Sequence, residues 1–208
     1  MEIAILLYEG VTALDAIGPH EVFRLVPGAT VRFVATERGP KRADGSFLSL
    51  IAEHTLDEVP TPDILVVPGA TNPAALLNDR HALDWIRAAH EHSTWTSSVC
   101  TGALGLGAAG ILQGKAATTH WLALESLSNF GATPTHERVV RDGKIVTGAG
   151  VSAGIDMALT LTGWAFGKEV AQQIQLMIEY DPQPPFDAGS PDTAPKKIVQ
   201  QVIDFYSN

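Results

Sequence analysis

The amino-acid sequence predicts an α/β fold, a three-layer sandwich in which a mostly parallel sheet is covered by helices on both faces. Two observations lead to this prediction. Short apolar stretches alternate along the chain with longer stretches of helical pattern, which is the element order of such folds. Residues 64–67 are apolar at every position, which is typical of a parallel strand buried on both faces.

The same patterns place each element in turn. We predict strands over residues 2–8, 30–35, 63–67, 95–99 and 144–147, and helices over residues 14–25, 81–90, 101–109, 121–130, 153–166 and 168–178. Asp-Gly pairs within residues 43–46 and 141–144 are typical of tight turns and predict two small antiparallel hairpins. The proline-rich residues 182–195 predict a surface loop that leads to a last helix over residues 196–206.

Composition limits the class of protein. A length of 208 residues, with 45% hydrophobic and 18% charged residues, predicts a single globular domain over residues 1–208. The net charge of −9 repels phosphate and anionic lipid, so we expect neither nucleic acid nor membrane as a partner. The single cysteine excludes an intrachain disulfide and a cysteine-based zinc site. The N-terminus has no basic stretch of the kind found in signal peptides, and the apolar runs are far shorter than the roughly 18 residues of a membrane span. We therefore expect a cytoplasmic location.

Cys100 is the main candidate for chemistry. It follows the predicted strand 95–99 directly and precedes a run of small, helix-compatible residues. A strand, a sharp turn and a helix with the nucleophile at the turn form a nucleophile elbow. The helix N-terminus is expected to lower the pKa of the thiol, and the backbone N–H of Thr101 is expected to stabilise a developing anion. The alternative is that Cys100 is a small buried hydrophobic residue.

Two further strand ends are expected at the same edge of the sheet, where open parallel sheets bind their ligands. Asp15 follows the first strand, and a buried carboxyl there could act as a general acid or base. The alternative is that Asp15 is only an N-cap or a first-turn acid of the helix that follows. Gly69 and Ala70 follow the third strand, where a backbone N–H could point into the same crevice, or where they could form only a turn.

The sequence also contains a misleading motif. Gly105 to Gly110 matches the dinucleotide-binding pattern G-x-G-x-x-G, but that pattern must lie at a strand-to-helix turn. Here the strand ends before Cys100, so the glycines fall inside the helix and nicotinamide binding is not expected. The histidines are scattered without metal-ligand spacing, and His120 is expected to cap or hydrogen-bond a turn.

Taken together, these segments resemble the PfpI/ThiJ superfamily, which is related to the class I glutamine amidotransferase domains. The resemblance covers nearly the whole chain, and its segments are residues 14–23, 66–69, 98–102, 109–114, 117–121, 137–143, 153–156 and 184–191. Asp15, the Cys100-Thr101 pair and a Gly-Ser-Pro loop are similar to the pattern of the members that hydrate isocyanides. One departure is Ala149, at a position where we expect glycine in those members.

The resemblance implies a flavodoxin-like sheet and addition of water to an organic isocyanide, giving an N-substituted formamide. Cys100 would form a thioimidate, Asp15 would transfer protons, and Thr101 would complete the catalytic group. Backbone N–H groups of Gly69, Ala70 and Thr101 would orient the substrate or water. A homodimer with neither metal nor organic cofactor is also implied.

Other activities occur among similar proteins. In a ligand- or redox-sensing module, Cys100 would be oxidised to a sulfenic or sulfinic acid, and no substrate would be turned over. Peptidase-like members place a histidine directly after the cysteine, where this chain has Thr101, so peptidase or amidase activity is less expected. The sensor halves of AraC-type regulators share several segments but continue into helix-turn-helix segments, which we do not expect here.

Overall fold

The computed structural model describes residues 1–45 and 47–207. Within them the strands are β1 (Glu2–Leu6), β2 (Thr30–Ala35), β3 (Gly39–Arg42), β4 (Ser49–Ala52), β5 (His54–Thr55), β6 (Ile64–Val67), β7 (Trp95–Val99), β8 (Ala116–Ala117), β9 (Thr133–Pro134), β10 (Val139–Asp142) and β11 (Ile145–Gly148). The α-helices are α1 (Ala13–Phe23), α2 (Ala74–Leu77), α3 (Arg80–His92), α4 (Gly102–Ala108), α5 (Ala153–Phe166), α6 (Lys168–Met177) and α7 (Lys196–Ser207). Leu56–Glu58 and Trp121–Phe130 form 3-10 helices.

The central sheet has the strand order β10-β11-β7-β6-β1-β2-β5. All neighbouring strands in it are parallel except β10 and β11. Helices α1, α5 and α6 pack as one group, and α2, α3 and α4 pack as another. The predicted α/β fold with a mostly parallel sheet flanked by helices is confirmed.

Burial follows the predicted pattern. Every residue of β6 and β7 is buried, as expected for strands in the middle of a parallel sheet. One continuous apolar core joins these strands to the helices that cover them. No helix among the described residues is long and apolar enough to cross a membrane.

The two predicted hairpins are present. β3 pairs antiparallel with β4, and β10 pairs antiparallel with β11 through a turn in which Gly143 has a φ of 63°. Ser46, the last residue of the first predicted turn, lies outside the described residues. The first strand ends at Leu6 rather than at residue 8. Beyond it, the Tyr8 hydroxyl donates a hydrogen bond to the Pro68 carbonyl (2.9 Å).

The chain divides into two compact units, residues 1–178 and residues 179–208. The first contains the whole central sheet and α1 to α6. The second contains α7, which matches the predicted last helix, preceded by residues without helix or strand across the predicted loop. The single domain predicted over residues 1–208 stays a prediction.

Candidate active site

Cys100 lies at the sharp turn between β7 and α4, as the sequence predicts. Its φ is 57°, a left-handed conformation that is uncommon for a residue other than glycine. Its N–H donates to the carbonyls of Gly148 (3.1 Å) and Ala149 (3.0 Å), and its own carbonyl accepts from the Thr119 hydroxyl at 2.6 Å. The surrounding structure therefore holds the strained turn in one conformation.

Two glycines allow the loop after β6 to approach this turn. A Cβ on Gly102 would lie 2.0 Å from the Val67 carbonyl oxygen. A Cβ on Gly69 would lie 2.5 Å from the Thr101 nitrogen. Because neither backbone can move apart without displacing the turn, only glycine fits at both positions.

Asp15 lies in the first turn of α1 and is fully buried. Its Oδ2 accepts a hydrogen bond from the Gly69 N–H (3.0 Å), which comes from a segment 54 residues away in the chain. Thr12 is the N-cap residue of α1, so Asp15 is not the cap but an acidic residue in the first turn of that helix. Its Oδ1 is buried and has no hydrogen-bond partner within the described residues.

Asp15 and Cys100 interact directly. Burial raises the pKa of Asp15 from 3.8 to about 7, although hydrogen bonds from Gly69 and from the Cys100 thiol partly oppose this rise. Burial and the nearby charge of Asp15 raise the pKa of the Cys100 thiol from 9.0 to about 12. Between these two pKa values the pair holds one proton.

The expectation of a lowered thiol pKa is wrong. The backbone N–H groups of Thr101 and Val151 do favour the thiolate of Cys100, but burial and Asp15 outweigh them. Since α4 has only seven residues, few peptide dipoles add to the field at its N-terminus. Cys100 is 4% exposed, so loss of hydration has the largest effect on the pKa of its thiol.

Thr101 and Ala70 form a reciprocal contact. The Thr101 hydroxyl donates to the Ala70 carbonyl at 2.7 Å and accepts from the Ala70 N–H at 2.8 Å. The Ala70 N–H and the Gly69 N–H are therefore already engaged within the protein. In the structure these N–H groups position Asp15 and Thr101, and their expected role as donors to a substrate stays a prediction.

The sequence did not single out two residues of the site. Val151 has a φ of 23° and directs its N–H towards the Cys100 sulfur. Tyr8 is 7% exposed, and burial together with the charges of Asp15, Cys100 and Asp44 raises its pKa. For Tyr8, the only sequence feature that could have indicated a site residue was its place at the end of an apolar stretch. For Val151, it was the neighbouring Gly150.

Gly105, Gly107 and His120 behave as predicted, whereas Gly110 lies after the end of α4 with a φ of 81°. Gly105 and Gly107 lie inside α4, where an added Cβ would meet Leu76 or Phe130 at 2.6 Å, so they serve helix packing. His120 accepts a hydrogen bond from the Leu122 N–H at the start of the 3-10 helix. Among the described residues no group of three or more His, Cys, Asp or Glu side chains could hold a metal ion.

Comparison with known proteins identifies the family that this geometry represents. Residues 1–163 match the DJ-1/PfpI family. The chain belongs to the DJ-1/PfpI family. This confirms the resemblance drawn from the segments around Asp15 and Cys100.

Members of the DJ-1/PfpI family resemble this chain to different degrees. Isonitrile hydratase from Pseudomonas putida is 44% identical over 201 residues, covering 97% of this chain and 88% of that protein. Protein DJ-1 homolog A from Arabidopsis thaliana is 30% identical over 181 residues, covering 84% of this chain but only 45% of that longer protein. The crystal structure of a ThiJ/PfpI family protein from Pseudomonas syringae matches with a TM-score of 0.96 and 38% identity, covering 99% of this chain and 86% of that one.

Proposed function

We propose that this protein is an isonitrile hydratase, which adds water to an organic isocyanide to give an N-substituted formamide. The identity to the Pseudomonas putida enzyme extends over nearly the whole of both chains and supports this activity over that of a sensing module. The single structural observation that supports the mechanism is the burial of Asp15 and Cys100 side by side at the end of the sheet. Their pKa values of about 7 and about 12 leave one proton on the pair between these pH values.

The first step forms a bond between the Cys100 sulfur and the terminal carbon of the isocyanide. This carbon accepts the sulfur electron pair and, as negative charge builds on it, takes the proton that the pair holds. Asp15 delivers that proton, and the product is a thioimidate, Cys100–S–CH=N–R. Because one proton is consumed, the pair must hold one proton when the substrate arrives.

The second step returns the enzyme to its starting state. Asp15, now a carboxylate, takes a proton from water as the water oxygen bonds to the thioimidate carbon, and then passes that proton to the nitrogen. The carbon–sulfur bond then breaks, the formamide leaves, and the hydroxyl proton returns to the Asp15–Cys100 pair. Two moderate barriers thereby replace one difficult addition of water.

The neighbouring residues have positioning roles in this proposal. The N–H groups of Thr101 and Val151 stabilise negative charge on the Cys100 sulfur. The Gly69 N–H fixes the Asp15 carboxyl, and Ala70 holds the Thr101 hydroxyl. The turn at Cys100 then acts as a nucleophile elbow.

We also propose that the enzyme is a cytoplasmic homodimer that acts on a small molecule and binds neither nucleic acid nor membrane. The net charge of −9 supports the absence of polyanionic partners. Sedimentation at micromolar concentration tests the dimer, and a monomer would contradict it.

Incubation with an aromatic isocyanide tests the activity. Chromatography should show formamide accumulating far beyond the amount of enzyme, and the Cys100→Ala variant serves as the control. Thiol modification that stops at one equivalent, without formamide, would refute the proposal.

A further inference from the structure

Asp44 lies two residues after β3, in the turn that the sequence indicated only as part of a hairpin. Its Oδ2 accepts three hydrogen bonds, from the Thr12 hydroxyl (2.6 Å), the Thr71 hydroxyl (2.7 Å) and the Thr71 N–H (3.1 Å). Its own N–H donates to the Val11 carbonyl at 3.1 Å. One carboxylate thus connects the hairpin to two other segments of the chain.

Those two segments carry the residues that hold Asp15. The Thr12 carbonyl accepts the Asp15 N–H (3.0 Å), and the Thr12 N–H donates to the Gly69 carbonyl at 2.8 Å. Thr71 follows the Gly69–Ala70 turn directly. The anchors of Asp44 therefore lie on both sides of the contact between Asp15 and Gly69.

Asp44 also brings a charge. Its three donors are neutral hydroxyl and amide groups, which orient the carboxylate without cancelling its charge. Two titratable groups influence the pKa of Asp15, namely Cys100 in the turn before α4 and Asp44 in the hairpin. Asp15, Cys100 and Asp44 all influence the pKa of Tyr8, which follows β1. The charge of Asp44 raises the pKa of both Asp15 and Tyr8.

We propose that Asp44 is a positioning residue of the active site: its carboxylate joins the segments that carry Asp15 and Gly69 and places a fixed negative charge beside the reacting pair. This charge raises the pH at which Asp15 becomes a carboxylate, and therefore the pH above which the pair holds the single proton that the proposed hydration consumes. The inference rests on Cys100 and Asp15 as the reacting pair of the proposed function. In this proposal a hairpin residue 29 positions from Asp15 sets the pH at which the pair loses its first proton.

The test separates the charge of Asp44 from its hydrogen bonds. Asp44→Asn keeps an oxygen acceptor for Thr12 and Thr71 but removes the charge, whereas Asp44→Ala removes both. Asp187→Asn, on the exposed loop before α7, is the control for net charge. Because Cys100 is the single cysteine of the chain, its alkylation rate by iodoacetamide reports on this site alone.

Although the alkylation rate should keep rising towards the thiol pKa of about 12, it should show a first inflection near pH 7, above which the Asp15 carboxylate can take the thiol proton. In Asp44→Asn this inflection should move to lower pH by several tenths of a pH unit relative to Asp187→Asn. The displacement should shrink as salt is raised, because half-exposed charges are screened over a Debye length of about 10 Å at 0.1 M. A purely structural role of Asp44 would leave the inflection in place.

Turnover tests the positioning. Asp44→Ala should lose roughly tenfold to a hundredfold in turnover at pH 8 relative to Asp44→Asn, since small displacements of a proton donor cost that much. Coincident inflections for Asp44→Asn and Asp187→Asn would overturn the electrostatic role, and equal turnover of Asp44→Ala and Asp44→Asn would overturn the positioning role. If no isocyanide is turned over, the proposed function fails, and the alkylation profile still decides the role of Asp44.

Discussion

The Asp15→Asn substitution should make the protein inactive and, above neutral pH, more stable. Asparagine keeps the size of the side chain and an oxygen for the Gly69 N–H but cannot transfer a proton. General acid–base groups contribute roughly a hundredfold to ten-thousandfold, so turnover should fall by about that factor. An asparagine variant with turnover near that of the wild type would end the acid–base role of Asp15.

The stability change follows from the pKa of the same carboxyl. Burial raises the pKa of Asp15 from 3.8 to about 7. A carboxyl with a raised folded pKa contributes its full stability below pH 3.8 and loses it as the pH rises to about 7. At about 1.4 kcal/mol per pKa unit, wild-type protein loses about 4 kcal/mol of unfolding free energy from this group. The asparagine variant should not lose it.

Urea unfolding of the wild type and of Asp15→Asn between pH 4 and pH 9 measures this difference. The difference in unfolding free energy, variant minus wild type, should increase from pH 4 to about pH 7 and stay constant above that pH. Comparing the two proteins at each pH removes the contributions of all other titrating groups. Parallel curves would show that Asp15 does not ionise as a buried group.

Four further predictions concern the same site. Cys100→Ala should abolish turnover and leave the fold intact; circular dichroism checks the fold, and residual activity near that of the wild type would contradict the nucleophile. Thr101→Val should leave the buried polar groups of Ala70 unpaired and cost about 1–3 kcal/mol in urea unfolding, with a smaller loss of turnover than Cys100→Ala. Gly102→Ala puts a Cβ 2.0 Å from a β6 carbonyl and should sharply lower the melting temperature, whereas Gly163→Ala in α5, whose Cβ meets only a side chain at 3.7 Å, should not; equal melting temperatures would refute the close approach. Wild-type turnover should rise as the pH passes about 7, where the pair gives up its first proton, and a profile that falls there would contradict the proposed proton count.

Local sequence patterns predicted the framework of this site. The apolar run before Cys100 and the small residues after it placed the cysteine at a strand-to-helix turn, and the structure confirms that placement. The same pattern showed that Gly105 and Gly107 lie inside a helix. Two Asp-Gly pairs located both hairpins. These features depend on backbone periodicity and turn chemistry within a few residues, which the sequence displays directly.

The chemistry of the site depends on contacts between distant segments, and only the tertiary structure decided it. The Gly69 N–H donates to Asp15, which is 54 positions away in the sequence, and the Ala70 N–H donates to Thr101, which is 31 positions away. Neither contact leaves a periodic signal. The thiol of Cys100 has a raised rather than a lowered pKa because the packed chain removes water from it and places a carboxyl beside it. Sequence order therefore determined where the reacting residues lie on the fold, whereas burial and hydrogen-bond geometry, which arise only on packing, determined their protonation.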